Sequence, residues 1–353
     1  MRKSCAFGLE RGRGRRVNTG NERFYGKQLK RDMFNQSGVL VVPAMALVGM
    51  EQLQILNRHG ISLEEHDVGD RTEPSDHSQL IDESVLIIED IFQEIRYTKQ
   101  IPLLTIRKQI FPMIYHTTEQ PNLFALFACL QSKDDYTFRH NIGVGVIATL
   151  IGRWLELKES ELSQLTIAAT LHDVGKLKIP LELLNKPEKL TAEEFELMKK
   201  HTWFGYEMIQ NTVGTNLREA LVAYQHHERQ DGSGYPLGIK GDQISFFSRI
   251  VAVADVFHAM TSQRAYKNAA PFYETLKQMH DNAFGVLDPQ IIRLFMDKMM
   301  QSIIGNDVLL TDGSKGTIVM VNPHDPLHPL VSLDSGFLDL SKQSSCHIER
   351  ILI

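Results

Sequence analysis

The chain has 353 residues with 42% hydrophobic and 23% charged side chains, a balance that excludes a disordered or fibrous protein. Its nearest approach to a membrane span, residues 38–49, is shorter than the roughly 20 apolar residues that cross a bilayer and contains Pro43. The three widely spaced cysteines, Cys5, Cys129 and Cys346, indicate no disulfide framework, so we expect a cytoplasmic protein without a secretory signal.

The net charge of −5 is unevenly distributed along the chain. Residues 1–31 contain ten Lys or Arg against two Glu, a local charge of +8 that leaves −13 for the remainder. We predict a basic, disordered arm there. Nucleic-acid contact is one interpretation, but a solvated tail or a start codon assigned too early is favoured, so no nucleic-acid partner is expected. The arginines concerned are Arg11, Arg13, Arg15 and Arg16.

The next two segments read as a small domain and a connection. A β-branched run over 38–43 and helical spacing over Met50–Asn57 predict a small α+β element over residues 32–70. Residues 71–119 are then predicted to be a linker with leading helices.

The remainder divides into a helical body and a β appendage. From 120 to 303 nearly every segment has a hydrophobic period near 3.6 residues, which predicts an all-α body. Thr191 and Glu194 form a capping-box pattern, so a helix should begin there. Short β-branched runs between Gly and Pro residues over 304–353 predict a small β unit.

Five histidines and two aspartates fall on or beside the apolar stripes of the predicted helices. Each alone is usually a hydrogen-bonded core residue, but seven together favour bound cations, because buried imidazoles and carboxylates are costly unless satisfied. Imidazole with carboxylate suits Fe, Mn or Zn. Seven ligands exceed the needs of one ion, so we predict two metals with Asp173 as the bridge. The candidate ligands are His140, His172, Asp173, His201, His226, His227 and Asp255.

A binuclear centre of this kind predicts phosphodiester hydrolysis by metal-activated hydroxide. Lys176, one turn beyond Asp173, could hold a phosphate oxygen, and Arg264 with Lys267 could form a cationic clamp. Such side chains taken singly are usually solvated. The Gly-rich stretch 231–236 directly follows the histidine pair and is expected to be a loop facing the substrate.

These residues stand in a series of motifs that together resemble the HD-GYP family of metal-dependent cyclic di-GMP phosphodiesterases, a branch of the HD-domain phosphohydrolases. The likeness extends over about residues 120 to 300. One histidine–aspartate pair would be a weak signal, but six motifs in this order are specific. The motifs cover residues 134–140, 171–176, 186–190, 198–201, 226–236 and 249–255.

The resemblance implies an HD-domain helical bundle over 120–303 that linearises cyclic di-GMP to pGpG and in some members continues to GMP. It assigns His140, His172, Asp173 and Asp255 to one metal, and Asp173, His201, His226 and His227 to the other. It gives Asp173 and Lys176 catalytic roles and implies substrate contact by Lys176, Gly234, Tyr235, Pro236, Arg264 and Lys267. The loop around Gly234 is also associated with docking of diguanylate cyclase (GGDEF) domains. Whether the protein forms a homodimer is left open by the resemblance.

Two departures from the family pattern qualify these expectations. Tyr136 stands where trinuclear members carry a metal-binding Glu, so two divalent ions, Fe or Mn, are favoured over three. His258 stands where the family usually has Asp, and its role is open between hydrogen bonding, ligation and fold support. The alternatives are a catalytically weak cyclic di-GMP receptor or cyclase-docking module, and a phosphodiesterase for mixed cyclic GMP-AMP.

Overall fold

The structure of the chain is a computed structural model with two compact units, one ending at Glu73 and the other beginning at Pro74. Most of the predicted basic arm lies outside the residues that it describes. The described residues are 20–30, 33–35, 40–42, 48–69, 75–119, 123–130, 136–262, 272–283, 285–322, 324–343 and 345–352.

The first unit combines one helix with short antiparallel strands. Strand β1 (Gln28–Leu29) pairs with β4 (Val68–Gly69), β2 (Met33–Phe34) pairs with β3 (Leu40–Val42), and helix α1 is Met50–Arg58. The predicted α+β element is thus present. Its core consists of buried apolar side chains, among them Phe24, Leu29, Val42, Leu53, Leu56 and Val68.

Residues 20–30 are ordered, although the sequence predicted a disordered arm over residues 1–31. The buried Asn21 side chain accepts a hydrogen bond from the Leu63 backbone N–H at 2.7 Å and donates one to the Ile61 carbonyl at 2.7 Å. Phe24 and Leu29 are buried as well. These contacts order the last part of the basic segment because they satisfy polar groups and bury apolar area in the same step.

The second unit is a helical bundle with a C-terminal sheet. A short π-helical stretch, Ile106–Ile110, joins α3 to α4, and a 3₁₀ turn, Val174–Lys178, follows α7. The helices are α2 (Ser75–Thr98), α3 (Leu103–Thr105), α4 (Phe111–Thr117), α5 (Leu123–Leu130), α6 (Tyr136–Trp154), α7 (Glu159–Thr170), α8 (Leu181–Leu184), α9 (Ala192–Lys199), α10 (His201–Gln210), α11 (Leu217–Gln225), α12 (Phe246–Thr261), α13 (Phe272–Ala283) and α14 (Pro289–Ser302).

Helix α6 is the central element of this bundle. Every residue from Arg139 to Gly152 is buried, so the helix has no solvated face in that stretch and is packed on all sides. The predicted apolar stripe, with Ile142, Val146 and Leu150, is accordingly only part of its buried surface. A helix in this position can carry a polar side chain into the interior.

The C-terminal strands form one antiparallel sheet in the order β8-β7-β6-β5-β9. Its inward side chains, including Val308, Ile318 and Val331, belong to the same apolar core as the helices. The Tyr273 hydroxyl of α13 donates a hydrogen bond to the Leu327 carbonyl. The strands are β5 (Asp307–Leu310), β6 (Lys315–Asn322), β7 (Asp325–Leu333), β8 (Gly336–Asp339) and β9 (Ile348–Leu352).

The predicted fold class, mainly helical with a small α+β element and a small β appendage, is confirmed. None of the helices in the described part of the chain is long and apolar enough to cross a membrane. The predicted capping box also forms. The Thr191 hydroxyl accepts from the Glu194 backbone N–H at 3.3 Å, and the Glu194 carboxylate accepts from the Thr191 N–H at 2.8 Å.

We expect Thr191→Ala to lower the free energy of unfolding by about 1 kcal/mol, because the first turn of α9 loses its side-chain cap. Urea denaturation followed by circular dichroism measures this change. The matched control is Ser160→Ala, an exposed serine in the first turn of α7, for which a change under about 0.5 kcal/mol is expected. Equal stability of the two variants would contradict a stabilising cap.

Candidate metal centre

The seven candidate ligands come from separate elements and meet in one cluster inside the bundle. The carboxylate of Asp173 lies at its centre, and five of the seven residues are at most 4% exposed. Helix α6 contributes His140, the turn after α7 contributes His172 and Asp173, α10 begins with His201, the end of α11 is followed by His226 and His227, and α12 contributes Asp255.

The ligand atoms form two groups, in each of which they lie within 4.8 Å of one another. One group contains four residues and the other three, and we name them the Asp173 group and the Asp255 group. Each is large enough to hold a cation. The Asp173 group is Asp173, His201, His226 and His227, and the Asp255 group is His140, His172 and Asp255.

The two oxygens of Asp173 face different imidazoles. Oδ1 lies 3.4 Å from His201 Nε2 and 3.8 Å from His226 Nε2. Oδ2 lies 3.3 Å from His172 Nε2 and 3.8 Å from His140 Nε2. One carboxylate therefore has an oxygen toward each group.

Three of the imidazoles are oriented by backbone carbonyls. His172 Nδ1 lies 2.7 Å from the Ala169 carbonyl, His201 Nδ1 lies 2.7 Å from the Met198 carbonyl, and His226 Nδ1 lies 3.0 Å from the carbonyl of residue 223. A carbonyl only accepts, so each Nδ1 carries the proton and donates it. Each Nε2 consequently presents a lone pair to the cluster, which is the tautomer that a metal requires.

The positions of these histidines explain why carbonyls are within reach. His172, His201 and His226 each stand just after the end of a helix, α7, α9 and α11 respectively. The last carbonyls of a helix have no intrahelical partner. An imidazole placed there can satisfy one of them through Nδ1 and still direct Nε2 inward. The chain thus makes the orienting acceptors from its own helix ends.

Burial favours the neutral form of four of the five histidines. Burial lowers the pKa of His140 and His201, lowers that of His226 well below its usual range, and lowers the pKa of His227 to about 3, because a charged imidazole loses its hydration. For His172, burial also acts to lower the pKa, but the Asp173 carboxylate outweighs it and raises the pKa.

The two aspartates are ionised. Burial acts to raise the pKa of Asp173, but Lys176 outweighs it and holds that pKa well below its usual range. For Asp255 the hydrogen bond with His140 has the same effect on the pKa against burial; the two atoms, Nε2 and Oδ1, are 3.1 Å apart. Neutral imidazoles and ionised carboxylates are the ligand forms that bind a cation.

Two buried atoms of the cluster indicate which kind of ligand it would bind. Among the described residues, His172 Nε2 and Asp173 Oδ1 have no hydrogen-bond partner. An unsatisfied buried polar atom costs about 1–3 kcal/mol. Both atoms are lone-pair donors that face the cluster, so a divalent cation would satisfy them. The residues present therefore fit a metal of the Fe, Mn or Zn type.

The predicted Gly-rich loop lies against this cluster. Tyr235 stacks on His227 with ring centroids 4.7 Å apart, and its backbone N–H donates to the His227 carbonyl at 3.2 Å. Burial raises the pKa of the Tyr235 phenol. Gly234 is half-buried, and a Cβ there would lie 2.5 Å from three backbone atoms. Pro236 follows and is exposed.

Glu228 holds the other end of this loop, a role that no pattern in the sequence indicated. Its side chain is buried, and Oε1 accepts hydrogen bonds from the Leu237 N–H at 2.6 Å and the Gly238 N–H at 3.2 Å. The loop thus begins on His227 and returns to the residue that follows it.

Lys176 lies at the edge of the cluster, and its Nζ donates to Asp173 Oδ2 at 2.5 Å. Its side chain is one-third exposed, so it reaches both solvent and the centre. The other predicted cationic residues, Arg264 and Lys267, lie outside the described residues. Tyr136 is the first residue of α6, and its side chain is likewise not described.

Gly175, which sequence reasoning left without a role, positions the two halves of the cluster. A Cβ at this residue would lie 1.9 Å from the His201 carbonyl oxygen and 2.4 Å from the Gly205 nitrogen. Only glycine therefore lets the 3₁₀ turn after Asp173 approach α10. Its signal in the sequence is its place two residues after Asp173 and directly before Lys176.

We expect Gly175→Ala to weaken cation binding by the Asp173 group at least tenfold, because the turn must move away from His201. Titration of the apoprotein with Mn²⁺ measures this change. Gly152→Ala is the matched control, since its Cβ would meet only leucine methyl groups. Full cation affinity in Gly175→Ala would show that the close approach is not needed.

Known sequences are similar to this chain over the segment that contains the cluster. The sequence model of the family described as HD domain matches residues 125–291. Cyclic di-GMP phosphodiesterase PA4108 of Pseudomonas aeruginosa is 34% identical over 213 residues, covering 60% of this chain and 51% of that protein. The 3'3'-cGAMP-specific phosphodiesterase 3 of Vibrio cholerae is 36% identical over 161 residues, covering 46% and 35%. The chain spans about half the length of the first of these relatives.

A solved structure extends the likeness to the fold. An HDG"Y"P protein from Bdellovibrio bacteriovorus superposes with a TM-score of 0.53 at 16% identity, over 80% of this chain and 98% of that one. At that identity the superposition supports the fold alone. Residues 125–291 match the family described as HD domain, and over this segment the chain is similar to the two cyclic dinucleotide phosphodiesterases above.

Proposed function

We propose that this protein is a metal-dependent phosphodiesterase that hydrolyses cyclic di-GMP to pGpG. The observation that carries the proposal is the buried Asp173 carboxylate, with one oxygen toward each of two histidine groups. The family supports it, because PA4108 is named a cyclic di-GMP phosphodiesterase. The HD domain over 120–303 is the proposed catalytic part, and a cytoplasmic location fits its three cysteines.

The proposed cofactors are two divalent cations, Fe or Mn. His140, His172 and Asp255 would hold one, His201, His226 and His227 the other, and Asp173 would contribute to both. Two cations in these positions would lower the pKa of water and neutralise charge on the oxygens at phosphorus. The backbone carbonyls after α7, α9 and α11 support this proposal, because they keep the Nε2 lone pairs directed inward.

Some of the proposed substrate contacts lie beside the cluster. Lys176 is placed to hold a non-bridging phosphate oxygen, because cations bound by Asp173 would replace its ammonium group as the partner of Oδ2. Arg264 and Lys267 complete the proposed cationic clamp. The loop of Gly234, Tyr235 and Pro236 covers His227 and faces the same space, and a diguanylate cyclase domain is its proposed partner.

Mixed cyclic GMP-AMP is the second candidate substrate. The 36% identical relative from Vibrio cholerae is named a phosphodiesterase specific for 3'3'-cGAMP. The phosphodiester linkage is shared by the two dinucleotides, so the metal cluster serves either. Turnover of cyclic di-GMP and 3'3'-cGAMP measured side by side on one preparation decides between them. A kcat/KM higher for cyclic di-GMP supports the proposal, and the reverse order transfers it to the mixed dinucleotide.

We expect Asp173→Asn to remove cations from both groups, whereas His201→Ala removes them chiefly from the Asp173 group. The amide keeps the shape of the carboxylate but loses its charge and one acceptor oxygen. Elemental mass spectrometry of anaerobically prepared protein should show a fall from about two cations per chain to near zero and to about one, respectively. Equal metal content in Asp173→Asn and the unaltered protein would reject the shared ligand.

For Lys176→Met we predict a KM for cyclic di-GMP raised at least tenfold with metal content unchanged, since a phosphate contact acts on substrate binding. The control is Lys178→Met, because Lys178 lies two residues on and pairs with Glu207 at 3.6 Å. Steady-state kinetics on metal-loaded protein compares them. Similar KM values for the two variants would refute a phosphate contact by Lys176.

A further inference from the structure

His140 is oriented differently from the imidazoles at the helix ends. His172, His201 and His226 each donate Nδ1–H to a backbone carbonyl. His140 lies inside α6, where carbonyls are engaged in the helix ladder. Its Nδ1 instead lies 3.1 Å from Nδ1 of His258 on α12. His258 therefore stands where the other ligands have a carbonyl.

The pair is enclosed by the bundle. His140 is 4% exposed and His258 is 2% exposed, and their ring centroids are 5.1 Å apart. The same Nδ1 of His258 also lies 3.1 Å from the hydroxyl oxygen of Ser262, one turn further along the chain, and Nε2 lies 3.5 Å from that oxygen. The His258 ring thus contacts both a candidate ligand and the residue that follows α12.

Gly143 provides the space for this ring. It lies on α6, one turn after His140, and a Cβ built on it would be 2.1 Å from Nε2 and 2.2 Å from Cδ2 of His258. Any other side chain at residue 143 would occupy the volume of the imidazole. Glycine is unfavourable inside a helix, so its presence here has a packing reason, and that reason is His258.

Proton placement follows from the ligand role of His140. His140 Nε2 lies 3.1 Å from Asp255 Oδ1 and can donate to it, but with a cation held by the Asp255 group it would present a lone pair, and the proton of the neutral ring would then lie on Nδ1. That proton is donated to His258 Nδ1, which accepts it in the tautomer protonated at Nε2. The imidazole of His258 then does what a backbone carbonyl does for the other three ligands.

We propose that His258, seated over Gly143, is a positioning residue that fixes the ring orientation and tautomer of His140 as a ligand of the Asp255 group. This inference rests on the proposed function, since it requires a cation at that group. It assigns a role to the residue at which the chain departs from the family pattern. His258 acts through His140 and does not itself bind the cation.

The test is titration of the anaerobic apoprotein with Mn²⁺ alone, which resolves the two cation affinities without any turnover. We expect His258→Ala to weaken one affinity about 10- to 100-fold, the usual effect of removing the partner of a ligating histidine. The other affinity should stay within about threefold. His258→Asn, whose side-chain oxygen can replace Nδ1 as acceptor, should recover most of the loss.

Gly143→Ala tests the space for the ring. It should weaken the same affinity as His258→Ala, and the double variant of Gly143→Ala with His258→Ala should be no weaker than His258→Ala alone, because without the ring the new methyl group has room. Gly152→Ala on the same helix is the control and should bind Mn²⁺ normally. Retention of the second affinity in each variant reports that the bundle is folded.

The outcomes separate this inference from the proposed function. Two unchanged affinities in both His258→Ala and Gly143→Ala, or equal weakening of both affinities, would overturn the positioning role while the metal centre stands. Additive effects of the two substitutions would overturn the role of Gly143. Failure of the unaltered protein to bind Mn²⁺ would reject the metal centre and this inference together. Normal Mn²⁺ binding without hydrolysis would reject only the enzymatic activity.

Discussion

The Asp173 carboxylate, buried among imidazoles, is the constraint on which the arrangement of the bundle depends. An ionised carboxylate in the interior is costly unless opposite charge or hydrogen bonds compensate it. Lys176 supplies one positive charge, and the histidines on both sides offer only lone pairs in their ligand tautomers. Further compensation of the Asp173 charge would come from cations, and two groups of side chains surround its two oxygens. Asp173 therefore constrains the fold and is also central to the proposed chemistry.

The bundle orients most of the imidazoles by placing helix ends around the cluster. His172, His201 and His226 use carbonyls of the last turn of the preceding helix, so the same backbone geometry ends each helix and orients each ring. His140 cannot use this device because it lies within a helix. His258 and Gly143 supply a substitute made of side chains. The proposed centre thus combines backbone-oriented ligands with one that depends on a packed pair.

Local patterns in the sequence were sufficient to predict the helical body, the cap at Thr191 and the seven side chains that the structure brings together. Contacts between distant segments were not predictable. Asn21 pairs with Leu63, 42 residues away, which orders a segment whose charge indicated an arm. Gly143 and His258 meet across two helices, and Gly175 meets α10 through backbone atoms. In each case the decisive partner is far along the chain and no periodicity specifies it.

Metal-dependent hydrolysis of cyclic di-GMP is tested most directly on one anaerobic preparation of the protein. Its metal content is measured by mass spectrometry, and the same sample is incubated with cyclic di-GMP while pGpG and GMP are followed by chromatography. We expect about two cations per chain together with product. Two cations and tight nucleotide binding without product, after Fe and Mn have each been supplied, would contradict the enzymatic claim and identify the protein as a cyclic di-GMP receptor.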